Sequence, residues 1–406
     1  PSSDMANMPA AFKVYGSDDG SSWSELLSVA GEADWFAREC RYYTFRNETA
    51  YSRYKLSVVS TVSGNAAKLG VYNYYFAKPA DPTTAWTWDP NSKADGFSDN
   101  GKLWRGDQQL SAWKNGNRIQ LRNNSSNVNA YDLDFSAGIV DVDGNPLSYT
   151  VYLENGIKSG KYLTRIIGAA VIDAVPSWGA QYCWYLNELS LGSAFTSFGE
   201  KQAFENAYSL QTLDLTRSAA QILPAGTFNN LYNLKGDIVL KVKTFAASFA
   251  RSHITSLVLN EVETYGDGNS YFDPFGWCDC LTNVTLGAGL KDINCGRAFG
   301  KVGKDGSPAY VDIWWKGVPP AFAKSQPELF NEGANNRITH HLPWSQREAW
   351  IDFAANHGLT SFSLTLPEGL ASADGVWESN SGVKSIVKWW SEEPPKPKTG
   401  TLIFIY

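Results

Sequence analysis

One apolar spacing repeats through the middle of the chain. Leu186-x-x-Leu189-x-Leu191 recurs as Leu210-x-x-Leu213-x-Leu215, Ile254-x-x-Leu257-x-Leu259 and Leu281-x-x-Val284-x-Leu286, with a looser copy at Leu234, Ile238 and Leu240. In sequence order the copies start 24, 24, 20 and 27 residues apart. A phenylalanine stands ahead of most of them: Phe204, Phe228, Phe249 and Phe275, with Phe299 continuing the series. A period of about 20–29 residues with this pattern restricts the chain to stacked, strand-bearing units. The Leu-x-Leu pair points inward from a short strand, and the phenylalanine closes the same core from the return segment. One unit cannot bury its apolar face alone, so neighbours must stack into a solenoid. The expectation is that Leu189, Leu191, Leu213, Leu215, Leu257, Leu259, Val284 and Leu286 lie buried in the stacked strands of one sheet.

The details resemble the BspA-like leucine-rich repeats of bacterial surface proteins. Ala203-Phe204-Glu205-Asn206-Ala207-Tyr208-Ser209-Leu210 is similar to that family's Ala-Phe-x-x-Cys-x-x-Leu unit, with Tyr208 near the usual cysteine. Phe275-Gly276-Trp277-Cys278-Asp279-Cys280-Leu281 carries cysteine in the family position, and Asp312 to Pro320 resembles a closing unit. The resemblance implies a leucine-rich-repeat solenoid over 166–390 with a terminal helix, and an inserted loop from Tyr265 to Asp273. Residues 391–406 read as a Pro-rich spacer and a final β-prone strand, Thr401 to Tyr406,.

The first residues carry a different pattern. Phe12, Val14 and Tyr15 belong to a half-buried strand that runs into the tight-turn pair Asp19-Gly20, and Trp23 follows at once,. Leu56, Val58 and Val59 suggest another strand. With Trp35, Tyr43 to Phe45 and Tyr51 to Leu56, residues 1–77 resemble the second half of a discoidin domain (F5/8 type C, galactose-binding-like). The resemblance implies a partial β-sandwich and a partner in a preceding segment of the same protein, packed on Phe12, Val14 and Leu56. It also implies sugar contacts at one end of the sandwich. Those contacts fall on Trp35, Phe36 and Arg38 in one loop and on Asn65 in another. The fold class expected is therefore multi-domain and mainly β: the sandwich half, a β-rich connector over 78–165, and the solenoid. Within the connector, Pro79 to Asp89 reads as a linker and Asn100-Gly101 as a hairpin turn. Near the end, Ser345 and Glu348 have the spacing of a capping box, before an apolar helix face of Ala349, Trp350, Phe353 and Ala354,.

Charge and motifs narrow the function. The net charge of −6 offers no basic field to nucleic acid or anionic lipid, and no apolar run is long enough to span a membrane,. Five cysteines cannot complete an internal disulfide framework, and they read as small buried hydrophobes rather than as metal ligands,. His253 is the residue that could join Cys278, Cys280 and Cys295 around zinc, and His340-His341 shows no acidic companion in sequence. Asp141-x-Asp143-Gly144-Asn145 reads as a hairpin turn rather than a calcium loop. Arg105-Gly106-Asp107 is an integrin-type tripeptide that chance supplies often, and Asp132 and Asp134 are a carboxylate pair without visible geometry. No catalytic residue, metal or cofactor is assigned. The two resemblances imply a secreted or surface-bound, non-catalytic recognition protein for a host glycan or glycoprotein. The alternatives are an accessory region of a glycan-degrading enzyme or a structural envelope protein.

Overall fold

The computed structural model describes residues 5–35, 41–65, 69–71, 76, 83–92, 100–121, 131–154, 157–160, 163–246, 249–266, 268, 276–295, 310–322, 337–357, 375–378 and 384–390 of the 406-residue chain. They are mainly β, with one α-helix among them. The chain divides into two compact units, Pro1–Lys78 and Pro79–Tyr406.

In the first unit Pro9–Ser17 is the centre of a three-stranded antiparallel sheet, between Ser24–Val29 and Arg53–Thr61. The two-residue alternation of a strand puts Phe12, Val14 and Gly16 on one face, opposite Val58, Leu56 and Tyr54,. Tyr43 meets Phe12 edge-on at 4.8 Å, and the Tyr51 ring lies so close to Gly16 that any Cβ there would collide with it. Aromatic residues of the same unit thus supply part of the cover over this face. At the turn, the Asp19 carboxylate accepts the Ser22 and Ser21 amides at 2.7 Å and the Ser17 hydroxyl at 3.0 Å. These bonds favour the ionised form and pull its pKa down to about 2,.

The second unit begins with hairpins. Trp86–Asp89, Asn100–Arg105, Gln108–Asn115 and Arg118–Leu121 pair antiparallel in order. Gly106 and Gly116, at φ 62° and 58°, open the two-residue turns that join the last three strands,. Two expectations fail here. Trp86 and Trp88, placed in a linker from their Pro/Thr-rich surroundings, are buried in a strand. The Trp86 indole donates to the Asp134 carbonyl at 2.9 Å and stacks on Phe135. Asn100-Gly101 is strand rather than turn, and the Trp88 ring occupies the space a side chain at 101 would need. At its far edge this sheet changes direction: Arg118–Leu121 pairs in parallel with Thr150–Tyr152, which pairs in parallel with Ile172–Ala174.

From there the chain winds in coils whose strands form parallel ladders. One set comprises Asp132–Asp134, Arg165–Ile167, Glu188–Ser190 and Thr212–Asp214. A second comprises Lys235–Val239, His253–Leu259, Asn283–Leu286, Val311–Trp315, Ile338–Pro343 and Lys384–Trp390, with Gly375–Glu378 added antiparallel. Of the eight apolar positions expected in one sheet, six are split between two sheets, and Leu191 and Leu215 fall just past the ends of their strands. Leu189 and Leu213 lie in the first sheet, and Leu257, Leu259, Val284 and Leu286 in the second. The break falls at the looser copy, where Leu234 and Ile238 stand four residues apart instead of three and Gly236 has φ 84°. Leu213 and Leu215 beside it are half-buried, whereas Leu189, Leu257 and Val284 are fully buried.

Opposite these strands runs a return ladder of two-residue strands: Ile222–Leu223, Thr244–Phe245, Thr264–Tyr265, Asp292–Ile293 and Ala321–Phe322. Tyr265, expected to begin an inserted loop, is buried within it. Between the two runs of strands, Phe204, Phe228 and Phe249 form a buried column with centroids 5.8 and 5.5 Å apart. Phe275, Phe299 and most of the expected insert lie outside the described residues.

Val311–Trp315 does not close the array, because strands pair on both its sides. The helix Arg347–Asn356 buries Trp350, Phe353 and Ala354, and the Trp350 indole donates to the Gly317 carbonyl at 3.0 Å. Its N-terminus has no side-chain cap, so Ser345 and Glu348 form no capping box; a 3-10 turn, Trp344–Gln346, leads straight into it. Residues 391–406 lie outside the described residues.

Burial separates two leucines that the sequence treats alike. Leu257→Ala should destabilise the second unit by about 2–5 kcal/mol, and Leu213→Ala, half-exposed beside the break, by less than about 2 kcal/mol. Urea unfolding of both variants measures the difference.

Candidate functional site

Six successive coils turn through a residue in the left-handed backbone region: Ser159, Tyr182, Asn206, Asn230, Arg251 and Trp277, with φ between 60° and 64°. Each of the first five amides donates to a carbonyl of the next coil: Gln181, Glu205, Asn229, Ala250 and Gly276, at 2.8–3.0 Å. This backbone suits glycine, and asparagine tolerates it better than most residues; bulky side chains raise its energy. Asn206 and Asn230 fit, and they are also linked, Nδ2 of Asn230 donating to Oδ1 of Asn206 at 2.8 Å. Tyr182 and Trp277 do not fit on stability grounds, yet their side chains are 39 % and 41 % exposed. Four residues earlier a second left-handed series runs Trp178, Gln202, Gly226. Trp178 is 38 % exposed, and its indole donates to Gln202 Oε1 at 2.8 Å.

Two residues beyond Tyr182, Asn206 and Asn230 stand Trp184, Tyr208 and Tyr232. The Trp184 and Tyr208 rings are parallel within 8° at 6.3 Å, and Tyr208 and Tyr232 are 5.4 Å apart. The carbonyls of these three residues take side chains from the following coil: the Ser209 hydroxyl, the Asn233 amide and the His253 Nδ1. The turn face thus presents an aromatic array on several successive coils. Polar groups are fixed beside it: Glu205 accepts Nε2 of Gln181 at 2.6 Å and Nε2 of Gln202 at 2.9 Å. The Arg251 guanidinium lies 4.6 Å from the Trp277 ring, and the Lys201 ammonium 5.0 Å from that of Trp178. Such a surface offers ring faces and oriented hydrogen-bonding groups to a ligand.

The inner side of the same turns explains the cysteines. Cys183 and Cys278 follow Tyr182 and Trp277, and each buried thiol donates to a carbonyl of the preceding coil, Ile157 at 3.0 Å and Phe249 at 2.9 Å. Burial pushes their pKa values up to about 12 and about 11. Ala207, not Tyr208, occupies the equivalent place, which corrects the position inferred from the BspA-like pattern. Cys280 is half-buried and Cys295 buried, while Cys40 lies outside the described residues. Among the described residues no group of three His, Cys, Asp or Glu side chains could hold a metal.

The residues named from the discoidin resemblance fare differently. Trp35 is buried, its indole donates to the Pro9 carbonyl at 3.1 Å, and the Arg41 guanidinium lies 3.9 Å from its ring. It is placed as a core group rather than an open platform. Phe36 and Arg38 lie outside the described residues, and Asn65 is exposed after the turn at Gly64. In the integrin-type tripeptide, Arg105 is buried and donates to the Asp134 and Asp132 carbonyls at 2.7 Å, so it is not displayed. Asp132 is held by Arg165 at 3.2 Å within a row of alternating charge that continues to Glu188. Burial raises the pKa of Asp132, against the pull of the two arginines. Asp141 spends its carboxylate on the amides of Asp143 and Asn145, which makes the segment a hairpin turn.

No family model matches the chain, and no curated protein or solved structure does either. The regular spacing of Trp184, Tyr208 and Tyr232 was open to sequence inspection; the left-handed turns were not, since no glycine marks most of them.

The buried thiols should be inert. In the native protein Cys183 and Cys278 should resist a thiol reagent at pH 8 and react fully in denaturant, which a mass-resolved labelling time course reads directly.

Proposed function

We propose that the chain is a non-catalytic recognition protein, secreted or held on a bacterial surface, that binds a host glycan or glycoprotein through the aromatic turn face. In this reading 166–390 is a leucine-rich-repeat solenoid of the BspA-like kind, and the first unit is part of a galactose-binding-like sandwich. The parallel ladders recurring at the period of the sequence repeat support the first assignment. The three-stranded sheet with its Asp19-Gly20 turn is compatible with the second.

One observation carries the functional reading. Tyr182, Trp277 and Trp178 occupy backbone positions where large side chains raise the energy, and they leave much of their aromatic surface in water. Both choices work against stability, a combination that points to a use for the rings outside the fold. Aromatic faces cover the apolar face of a sugar ring, while fixed amide and carboxylate groups such as those of Gln202 and Glu205 bond its hydroxyls.

The Tyr182→Gly/Trp277→Gly double variant separates binding from folding. Its melting temperature should stay unchanged or rise, since glycine relieves about 1 kcal/mol of left-handed strain per site. Its signal on a glycan and mucin array should fall by about tenfold or more, the range expected when aromatic platforms are lost. Undiminished array binding by the folded variant would remove the turn face from the function.

A further inference from the structure

A second arrangement stands on the outer face of the seven-stranded sheet. One row crosses successive strands as Val258, Thr285, Trp314, His341 and Lys388. Adjacent strands are about 4.8 Å apart, too close for two rings to lie flat side by side. Trp314 and His341 instead stand on edge and stack, with centroids 3.7 Å apart and planes 6° from parallel. His341 Nε2 donates to Asp312 Oδ1 at 2.8 Å, so the histidine does have an acidic companion, brought across from the neighbouring strand. The Trp390 indole donates to the His341 carbonyl at 3.2 Å, and its ring meets Trp314 edge-on at 6.1 Å. These contacts fix the Trp314 ring on its histidine side.

On the other side the next residue in the row is Thr285, too short to cover an indole. Among the described residues no ring or cation stands against that face of Trp314. Among the described residues the stack therefore ends in a slot about one strand spacing wide. Trp314 is its wall, and Thr285 and the buried Val258 are its floor. Asp312 and Asn283, paired on the adjacent row, form its polar rim. The Asp312 side chain is exposed, and its bond to His341 engages one carboxylate oxygen, Oδ1.

We propose that this slot binds a single hexopyranose ring, inserted as the next member of the stack. The C–H face of the sugar lies on Trp314, and neighbouring hydroxyls donate to Asp312 and bond the Asn283 amide. A carboxylate and an amide at fixed separation suit vicinal hydroxyls, whereas the ring of an aromatic peptide side chain would leave both without partners. The site is separate from the turn face and does not rest on the role proposed there.

The test uses methyl glycosides of galactose, glucose, mannose and N-acetylglucosamine in titration calorimetry with the full chain. At least one should bind. Thr285→Trp, which adds the next ring to the stack without removing any contact, should weaken it by about tenfold or more, as should Trp314→Leu. The Tyr182→Gly/Trp277→Gly variant should bind it unchanged. Saturation-transfer NMR on the unmodified protein gives a readout independent of variant folding: irradiating aromatic protons should label the C–H protons of one sugar face. Absence of glycoside binding, persistence of binding in Thr285→Trp, loss confined to the turn-face variant, or selective binding of tyrosine peptides would each overturn the proposal.

Discussion

The hydrogen bonds between successive turns are what the coiled unit depends on most. Between Thr212–Asp214 and Lys235–Val239 the strand ladder stops, and on the return side no strand pairing joins Ser197 to Ile222. Across that gap the amides of Gln202, Phe204 and Asn206 donate to the carbonyls of Ala225, Thr227 and Asn229 at 3.0 Å. Phe204 stacks on Phe228 beneath them, and the Asn233 side chain reaches the Tyr208 carbonyl above. Buried backbone groups must find partners somewhere. Here the turns supply them where the strands do not, and the coils remain one stack.

That arrangement fixes what each turn residue can be. Positions pointing inward are small or apolar and satisfy a carbonyl when they are polar: Cys183, Ser252 and Cys278 all donate to backbone oxygen of a turn. Of the left-handed residues beside them, Tyr182, Arg251 and Trp277 are exposed, whereas Asn206 is buried and accepts a bond from Asn230. Asn206 and Asn230 take the option favourable to the backbone. Tyr182 and Trp277 take the costly one, which concentrates aromatic surface on that face. The outer row of the seven-stranded sheet obeys a different rule, since strand spacing forces its rings on edge, and a stack of upright rings is completed or left open by the next residue alone. On one side Trp314 is stacked against His341, and among the described residues no ring follows it on the Thr285 side.

The sequence showed the interior well and the exterior poorly. Most of the leucine and phenylalanine positions that the spacings marked as inward are buried, with Leu213 and Leu215 half-buried, because a repeat leaves the same apolar residue wherever the same core is met. The break between the two sheets coincides with the longer spacing from Leu234 to Ile238, but a change of spacing by one residue does not reveal that a ladder will stop there. Trp86 and Trp88 lay hidden in a segment whose prolines and threonines suggested a linker; their burial follows from Phe135 and the Asp134 carbonyl, distant in sequence. Asp312 and His341 are likewise 29 residues apart and become neighbours only through strand register. Trp35 was singled out as a sugar platform from a resemblance of local pattern. Arg41 and the Pro9 carbonyl, which occupy its face and edge, could not be placed from that pattern.

Amide hydrogen exchange across residues 197–240 tests most directly whether the turns join the coils. If they do, the amides of Gln202, Phe204 and Asn206 should exchange only through global unfolding, with the same opening free energy as the ladder amides of His253–Leu259. Exchange of those three amides at a much lower opening free energy, with the segments before and after the gap opening independently, would contradict a continuous stack.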